Sequence, residues 1–445
     1  MKNDFYLLSF AVCGIKNIEK EVKIDFYNKT IDKSFNPEKF KIKAIYGENG
    51  SGKTALISAM QIMKTLILNE GMLNESDYQR KLQKLINKKT EKLTIIAEFL
   101  KKGNPENKTD GLEYRFSLVV SKTINGRYEI EKEVLERKSA EYTSAQYKVI
   151  YKSEHGDLKE ILASEATFEI QSEETYNLLG RTTFTSIVFR NILNKEQITK
   201  DPIFYMSVSD VVMFAADILV SLEDSDQHDT YFLTEEMKLA KARNNHDEVY
   251  KKMLKHMNLL IRNETRSIWK AFFKKYQEEV GRMSNFLKLF KQDLIKVDID
   301  KKDNGDTYET SLVLTYEGYR IDAEFESTGI KKLIRLFNYI DHAASGGIAF
   351  IDEMDSNIND VYLTKLTEYF MEYGKGQLCF TTHNTSPMTV LRRNKKSIDF
   401  LSNDNRIISW KTNGNFAPEK LYKHGLIEYL PFNIEPEDFV GVLGE

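Results

Sequence analysis

Eight residues near the start of the chain, GENGSGKT from Gly47 to Thr54, have the types and spacing of a phosphate cradle. They fit the pattern G-x-x-x-x-G-K-[ST] in full, after a strand-like run and before a helix-like one. The glycines let the backbone through Gly47, Glu48, Asn49, Gly50, Ser51 and Gly52 curl until successive N–H groups face one anion. The positive end of the following helix adds to that field. Lys53 is then placed to reach the β- and γ-phosphates of a nucleoside triphosphate, and Thr54 to offer its hydroxyl to Mg²⁺.

Three further stretches supply what hydrolysis needs. GGIAFIDEMD carries Asp352 and Glu353 at the end of an apolar strand. Asp352 suits Mg²⁺, directly or through water, and Glu353 suits polarising the attacking water as general base. His383 ends a second apolar strand, LCFTTH, where an imidazole can approach the γ-phosphate. ESTGIKKL places Ser327, Thr328 and Gly329 at the start of a helix, a second anion-binding geometry on a chain that already has a phosphate loop. A surplus site of this kind makes sense if it closes over the nucleotide of another copy, so that two chains sandwich two ATP molecules.

These groups need rigid elements behind them. Residues 5–27 read as two strands, FYLLSFAV and VKIDFY, and 40–46 as a buried strand; ALISAMQIMKTLI has helical spacing. From 91 to 152 the period is two, and Asn125-Gly126 predicts a hairpin with both turn residues at positive φ. Residues 190–295 read as helical. Trp269, Phe273, Tyr276, Val280, Met283, Leu287, Phe290 and Leu294 step by four and three, as in a coiled-coil seam. Strands at 307–325, a helix after Gly329, and strand–helix–strand through 347–383 indicate an α/β sheet.

Bulk properties narrow the classes. At 445 residues, 41% apolar and 29% charged, the chain is of soluble globular type, and a net charge of −3 excludes a global polycation. Only Cys13 and Cys379 are present, which rules out a disulfide framework and suits a reducing compartment; the expected location is the cytoplasm. The N-terminal apolar stretch is short and preceded by the acidic Asp4, unlike a signal peptide, and the run from Val211 to Leu222 falls short of the roughly 20 residues a membrane span needs. Between 250 and 302 there are 14 Lys/Arg against 6 Asp/Glu. Such a face is either solvated or a contact surface for a partner or a nucleic-acid backbone.

GENGSGKT, ESTGIKKL, FIDEMD and TTHN, in that order, resemble the ABC-type ATPases of the SMC, RecF and OLD group, and look closest to bacterial ATPases of that group found in phage defence (PARIS, Septu and the ATPase half of Gabija). The resemblance implies an ABC-type P-loop head, a mixed core sheet plus an antiparallel β subdomain, with a helical or short coiled-coil insertion. Its expected parts are 1–185 (N-terminal half of the head), 186–300 (insertion), 301–400 (C-terminal half) and 401–445 (tail). By position, Ser327 and Gly329 match the signature that meets ATP across a dimer, Asp355 the loop linking the two sites, and His383 the switch histidine. Thr328 and Ile330 depart from the common signature, where a glycine and an acid are usual. The group's Q-loop glutamine is not assigned; Gln171 and Gln197 both lie in its interval. A Toprim nuclease like that of OLD-type and Gabija-type enzymes needs on the order of 100 residues, and 62 follow His383.

The expected activity is Mg²⁺-dependent, slow or regulated hydrolysis of ATP by a homodimer or higher even oligomer paired through its heads. The implied partners are a separate effector, nuclease or toxin, and a phage protein as trigger, with DNA left open. Two other readings stand beside it: a DNA-binding repair ATPase of RecF or SMC type, and a scaffold that retains its nucleotide. A transporter ATPase is disfavoured by the missing span and by the long interval from Thr54 to Ser327.

Overall fold

The computed structural model describes residues 5–27, 30–32, 34–103, 110–191, 200–222, 260–394, 396–411 and 417–428. Along the chain, β1 (Phe5–Cys13), β2 (Val22–Asp25) and β3 (Ile42–Tyr46) precede the helix Lys53–Leu68. After the helix Ser76–Leu85 come β4 (Lys92–Lys101), β5 (Leu112–Lys122), β6 (Tyr128–Ser139), β7 (Lys148–Glu154) and β8 (Asp157–Ile161). Helices Glu165–Thr175, Phe184–Asn191 and Pro202–Ala216 lead to β9 (Ile218–Ser221). β10 (Arg266–Trp269), the helix Phe273–Lys288, β11 (Leu294–Asn304), β12 (Thr307–Tyr316) and β13 (Tyr319–Asp322) follow. The helix Thr328–Ser345, β14 (Ile348–Ile351), the helix Asp360–Tyr373, β15 (Gln377–Thr381), β16 (Ile398–Leu401) and β17 (Ile407–Ser409) complete the core.

The central sheet runs β17-β16-β3-β15-β14-β9, parallel except for β17. Its strands read as short apolar runs because both faces are covered. Ile45, Phe350 and Cys379 point into a core shared with the helix Lys53–Leu68 and a seven-stranded antiparallel sheet, ordered β2-β1-β4-β5-β6-β7-β8. Ala44, Tyr46, Ala349, Ile351, Leu378 and Phe380 point the other way, into a core with the helices Thr328–Ser345 and Asp360–Tyr373. The mixed α/β core with an antiparallel subdomain is thus as expected.

Three local readings change. The hairpin at Asn125-Gly126 forms, but only Gly126 takes a positive φ (77°). Thr123 N–H donates to Arg127 O at 2.7 Å, closing a three-residue loop with glycine in the left-handed position. The four-and-three stripe is a core face. Phe273, Tyr276, Val280, Met283 and Leu287 lie on one 16-residue helix and bury against the four-stranded sheet of β10–β13. Beyond it, Leu294 is on a strand of that sheet and Trp269 ends another. A helix on a sheet and a helix in a coiled coil both need an apolar side every three to four residues, so spacing alone does not separate them. Finally, the expected part boundaries at 186 and 300 do not coincide with the sheets. β9 belongs to the central sheet beside β14, and β11 spans 300. Residues 223–259 of the expected insertion, and 429–445 of the expected tail, lie outside the described residues.

Among the described residues no helix is long and apolar enough to cross a membrane.

Candidate functional site

The C-terminal ends of three neighbouring parallel strands, β3, β15 and β14, open on one edge of the central sheet. The loop after β3 carries Gly47–Thr54, the loop after β14 carries Asp352–Asp355, and the loop after β15 carries His383. Parallel register therefore gathers three distant stretches at one place, where open α/β sheets hold ligands.

In the first loop Gly50 and Gly52 have φ of 82° and 109°, values that L side chains rarely adopt. A Cβ at Gly50 would project into open space, whereas one at Gly52 would lie 2.9 Å from the Ile18 side chain. Asn17 donates its amide to Gly50 O, and Asn403 donates to Glu48 Oε2 at 2.6 Å, so the loop is held from β1's far turn and from the turn after β16. Lys53 is buried with its ammonium on Gly47 O (2.7 Å) and Glu48 O (2.9 Å). Burial pushes its pKa down, and Asp352, Glu353, Asp355 and Glu48 push it back up. Ser51 Oγ is buried with no hydrogen-bond partner. An orphaned hydroxyl, a buried cation and curled glycines make a donor set suited to a polyphosphate.

Asp352 follows β14 directly. Its Oδ1 accepts the Thr381 hydroxyl at 2.6 Å, and the same oxygen of Thr381 accepts Glu353 N–H at 2.8 Å. One hydroxyl thus sets both acids. The sequence signal of Thr381 is a hydroxyl closing a buried strand whose three preceding residues, Leu378, Cys379 and Phe380, are apolar. Glu353 is exposed at φ 46°, a left-handed backbone uncommon for a non-glycine residue. Thr54 and Asp352 offer hard oxygen donors, the chemistry Mg²⁺ takes when phosphates supply further ligands.

Asp355 Oδ2 accepts the backbone N–H groups of His383 (3.2 Å) and Asn384 (3.1 Å). It therefore organises the histidine loop of its own chain. Partial burial, then the charge of Lys53, holds the His383 imidazole below its ordinary pKa, against Asp355, Glu353 and Asp352.

Ser327 caps the helix Thr328–Ser345, its hydroxyl accepting Ile330 N–H at 3.4 Å. Ser327 and Thr328 are exposed, while Ile330 and Leu333 bury into the core of the four-stranded sheet. An acid at 330 would lose its water there, which accounts for isoleucine at that position. Gly329 faces the turn after Asp355, where a Cβ would sit 3.2 Å from Asn357 O. Gln171 lies instead on the helix Glu165–Thr175, bonded to Glu174 at 3.1 Å; Gln197 lies outside the described residues.

No family model and no curated protein matches the chain. Among solved structures it is similar to an Smc head bound to the C-winged helix domain of ScpA, at TM-score 0.46 and 13% identity over 91% of this chain and 98% of that one. It is also similar to a Pyrococcus furiosus Smc head with an extended coiled coil bound to the C-terminal domain of ScpA (0.41, 13%, 92% and 96%). A Pyrococcus yayanosii Smc head with a coiled coil and joint is a third (0.43, 11%, 92% and 97%). These are loose likenesses of fold.

Proposed function

We propose that the chain is an ABC-type ATPase that binds ATP with Mg²⁺ on the loop Gly47–Thr54 and hydrolyses it at a site completed by a second copy. The observation that supports this best is the meeting of Lys53, Asp352, Glu353 and His383 at the ends of three adjacent parallel strands. Gly47–Gly52 and Lys53 hold the phosphates; Thr54 and Asp352 hold Mg²⁺, which when bound neutralises charge on the phosphate oxygens. Glu353 takes a proton from the attacking water. His383, kept neutral by its surroundings, accepts or donates a hydrogen bond at the γ-phosphate. Ser327 and Gly329, on an outward-facing helix start, meet the triphosphate held by the partner, and Asp355 links the two sites.

By the resemblance of its four motifs, the assembly is a homodimer or higher even oligomer that senses a phage component and controls a separate nuclease or toxin. The repair reading draws less support. In the basic segment Lys270, Lys275, Arg282, Lys291 and Lys296 form ion pairs within the chain, with Asp303, Glu279, Asp341, Asp293 and Asp298. Cations already paired release fewer counterions on a phosphate backbone.

Two variants test the reading. Lys53→Ala should abolish ATP binding in calorimetry; unchanged affinity refutes the phosphate-loop assignment. Glu353→Gln should lower kcat by about 10²–10⁴, retain ATP and raise the mass seen in light scattering. A Glu353→Gln chain that stays monomeric with ATP bound at every concentration refutes the shared site.

A further inference from the structure

Glu353 carries a backbone problem that the general-base role does not solve. Its left-handed conformation (φ 46°) is disfavoured for any residue with a Cβ, so something must hold it. The structure holds its peptide groups from both sides. The N–H donates to Thr381 Oγ1 at 2.8 Å. The carbonyl accepts Ser356 N–H at 3.1 Å, within the turn, and the ammonium of Lys332 at 3.2 Å. Lys332 comes from a different element. It lies in the second turn of the helix Thr328–Ser345, five residues after the Ser327 cap. That helix is seated by Ile330, Leu333, Ile334 and Phe337 on one core and by Leu336, Tyr339, Ile340 and Ala343 on another. It is therefore a rigid arm from which a lysine can fix a distant peptide.

We propose that Lys332 is a positioning residue for Glu353: its ammonium grips the Glu353 carbonyl and keeps the carboxylate aimed at the attacking water. Charge-assisted bonds to a carbonyl are the stronger kind, and a general base misplaced by an ångström loses much of its effect. Because the same helix begins at Ser327, the grip also ties each chain's base to the segment that faces a partner's nucleotide. This inference rests on the reading of Glu353 as general base.

The test is steady-state ATP hydrolysis by the full chain, with ATP affinity measured separately. Lys332→Met keeps the aliphatic stem and removes the cation. It should lower kcat about tenfold and leave KM and ATP affinity within about twofold; Lys332→Arg should recover most of the loss. In a Glu353→Gln background, Lys332→Met should cause no further loss, because it acts only through the carboxylate. Lys332→Gln gives the same comparison if the methionine variant folds poorly. An unchanged kcat, a loss confined to KM, or losses that multiply in the double variant would overturn the proposal. Failure of Glu353→Gln itself to slow hydrolysis would instead overturn the general-base reading, so the two failures are distinguishable.

Discussion

Lys43 and Asp399 form an ion pair with both side chains at 0% exposure and 2.6 Å between Nζ and Oδ2. They join β3, which feeds the loop Gly47–Thr54, to its neighbour β16. The other carboxylate oxygen accepts the Ser409 hydroxyl at 2.6 Å, and the Phe26 ring lies 5.5 Å from the ammonium. Lys43→Met should leave the Asp399 carboxyl dry, without its cation and bonded only to a hydroxyl. Breaking a buried pair by removing one partner costs about 3–5 kcal/mol, because the surviving charge keeps its desolvation penalty. In a chain of this size, whose unfolding entropy is about 0.9 kcal/mol/K, that lowers Tm by about 3–5 °C. Lys43→Met/Asp399→Asn removes both charges and keeps an acceptor for Ser409, so it should recover most of the loss, to within about 1–2 kcal/mol of the parent. Urea denaturation followed by circular dichroism, with thermal melts beside it, reads all four corners of the cycle. A cost below about 1 kcal/mol for Lys43→Met, or a double variant no better than the single one, would refute the reasoning: the pair would then be hydrated or its charges independent.

Further expectations concern pH and orientation. On the helix Phe273–Lys288, burial raises the Glu279 carboxyl from 4.5 to about 7, partly offset by Lys275 and Arg282 and reinforced by Asp341. Between those values the folded chain holds a proton that the unfolded chain has released, so stability is full below pH 4.5 and falls as pH rises through 7. Glu279→Gln should therefore stabilise by about 1–3 kcal/mol at pH 8 and by little at pH 4.5; equal effects at both, by thermal melts, would refute the burial argument. Thr381→Val should lower kcat by about 10–100-fold while leaving ATP affinity without Mg²⁺ unchanged, since it frees Asp352 and Glu353 together. A kcat within twofold of the parent would exclude a role for that hydroxyl.

Much of this site was legible because its parts are written as contiguous words. GENGSGKT needs only its neighbours to curl, since Gly50 and Gly52 supply the unusual φ values locally. FIDE and TTH were readable as strand ends because an apolar run must stop where it meets water. The part that Thr381 and Lys332 play in holding Glu353 was not readable. Each acts on Glu353 through a single long-range bond, and a threonine in a strand or a lysine on a helix is ordinary until its partner is known. The stripe at 269–294 is ambiguous for a related reason: periodicity shows that a helix has a buried side, not what covers it.

Local chemistry thus determined the curl of the glycine loop, the acids at the end of β14, the helix capped by Ser327 and the α/β character of the core, since each follows from residue type and spacing within a dozen positions. Tertiary structure alone decided that β9 joins the central sheet, that the stripe meets a sheet, and that Asp355 serves the histidine loop. The physical reason is that pairing across hundreds of residues depends on which apolar faces and which orphaned donors find one another after collapse, and no short window of sequence contains both partners.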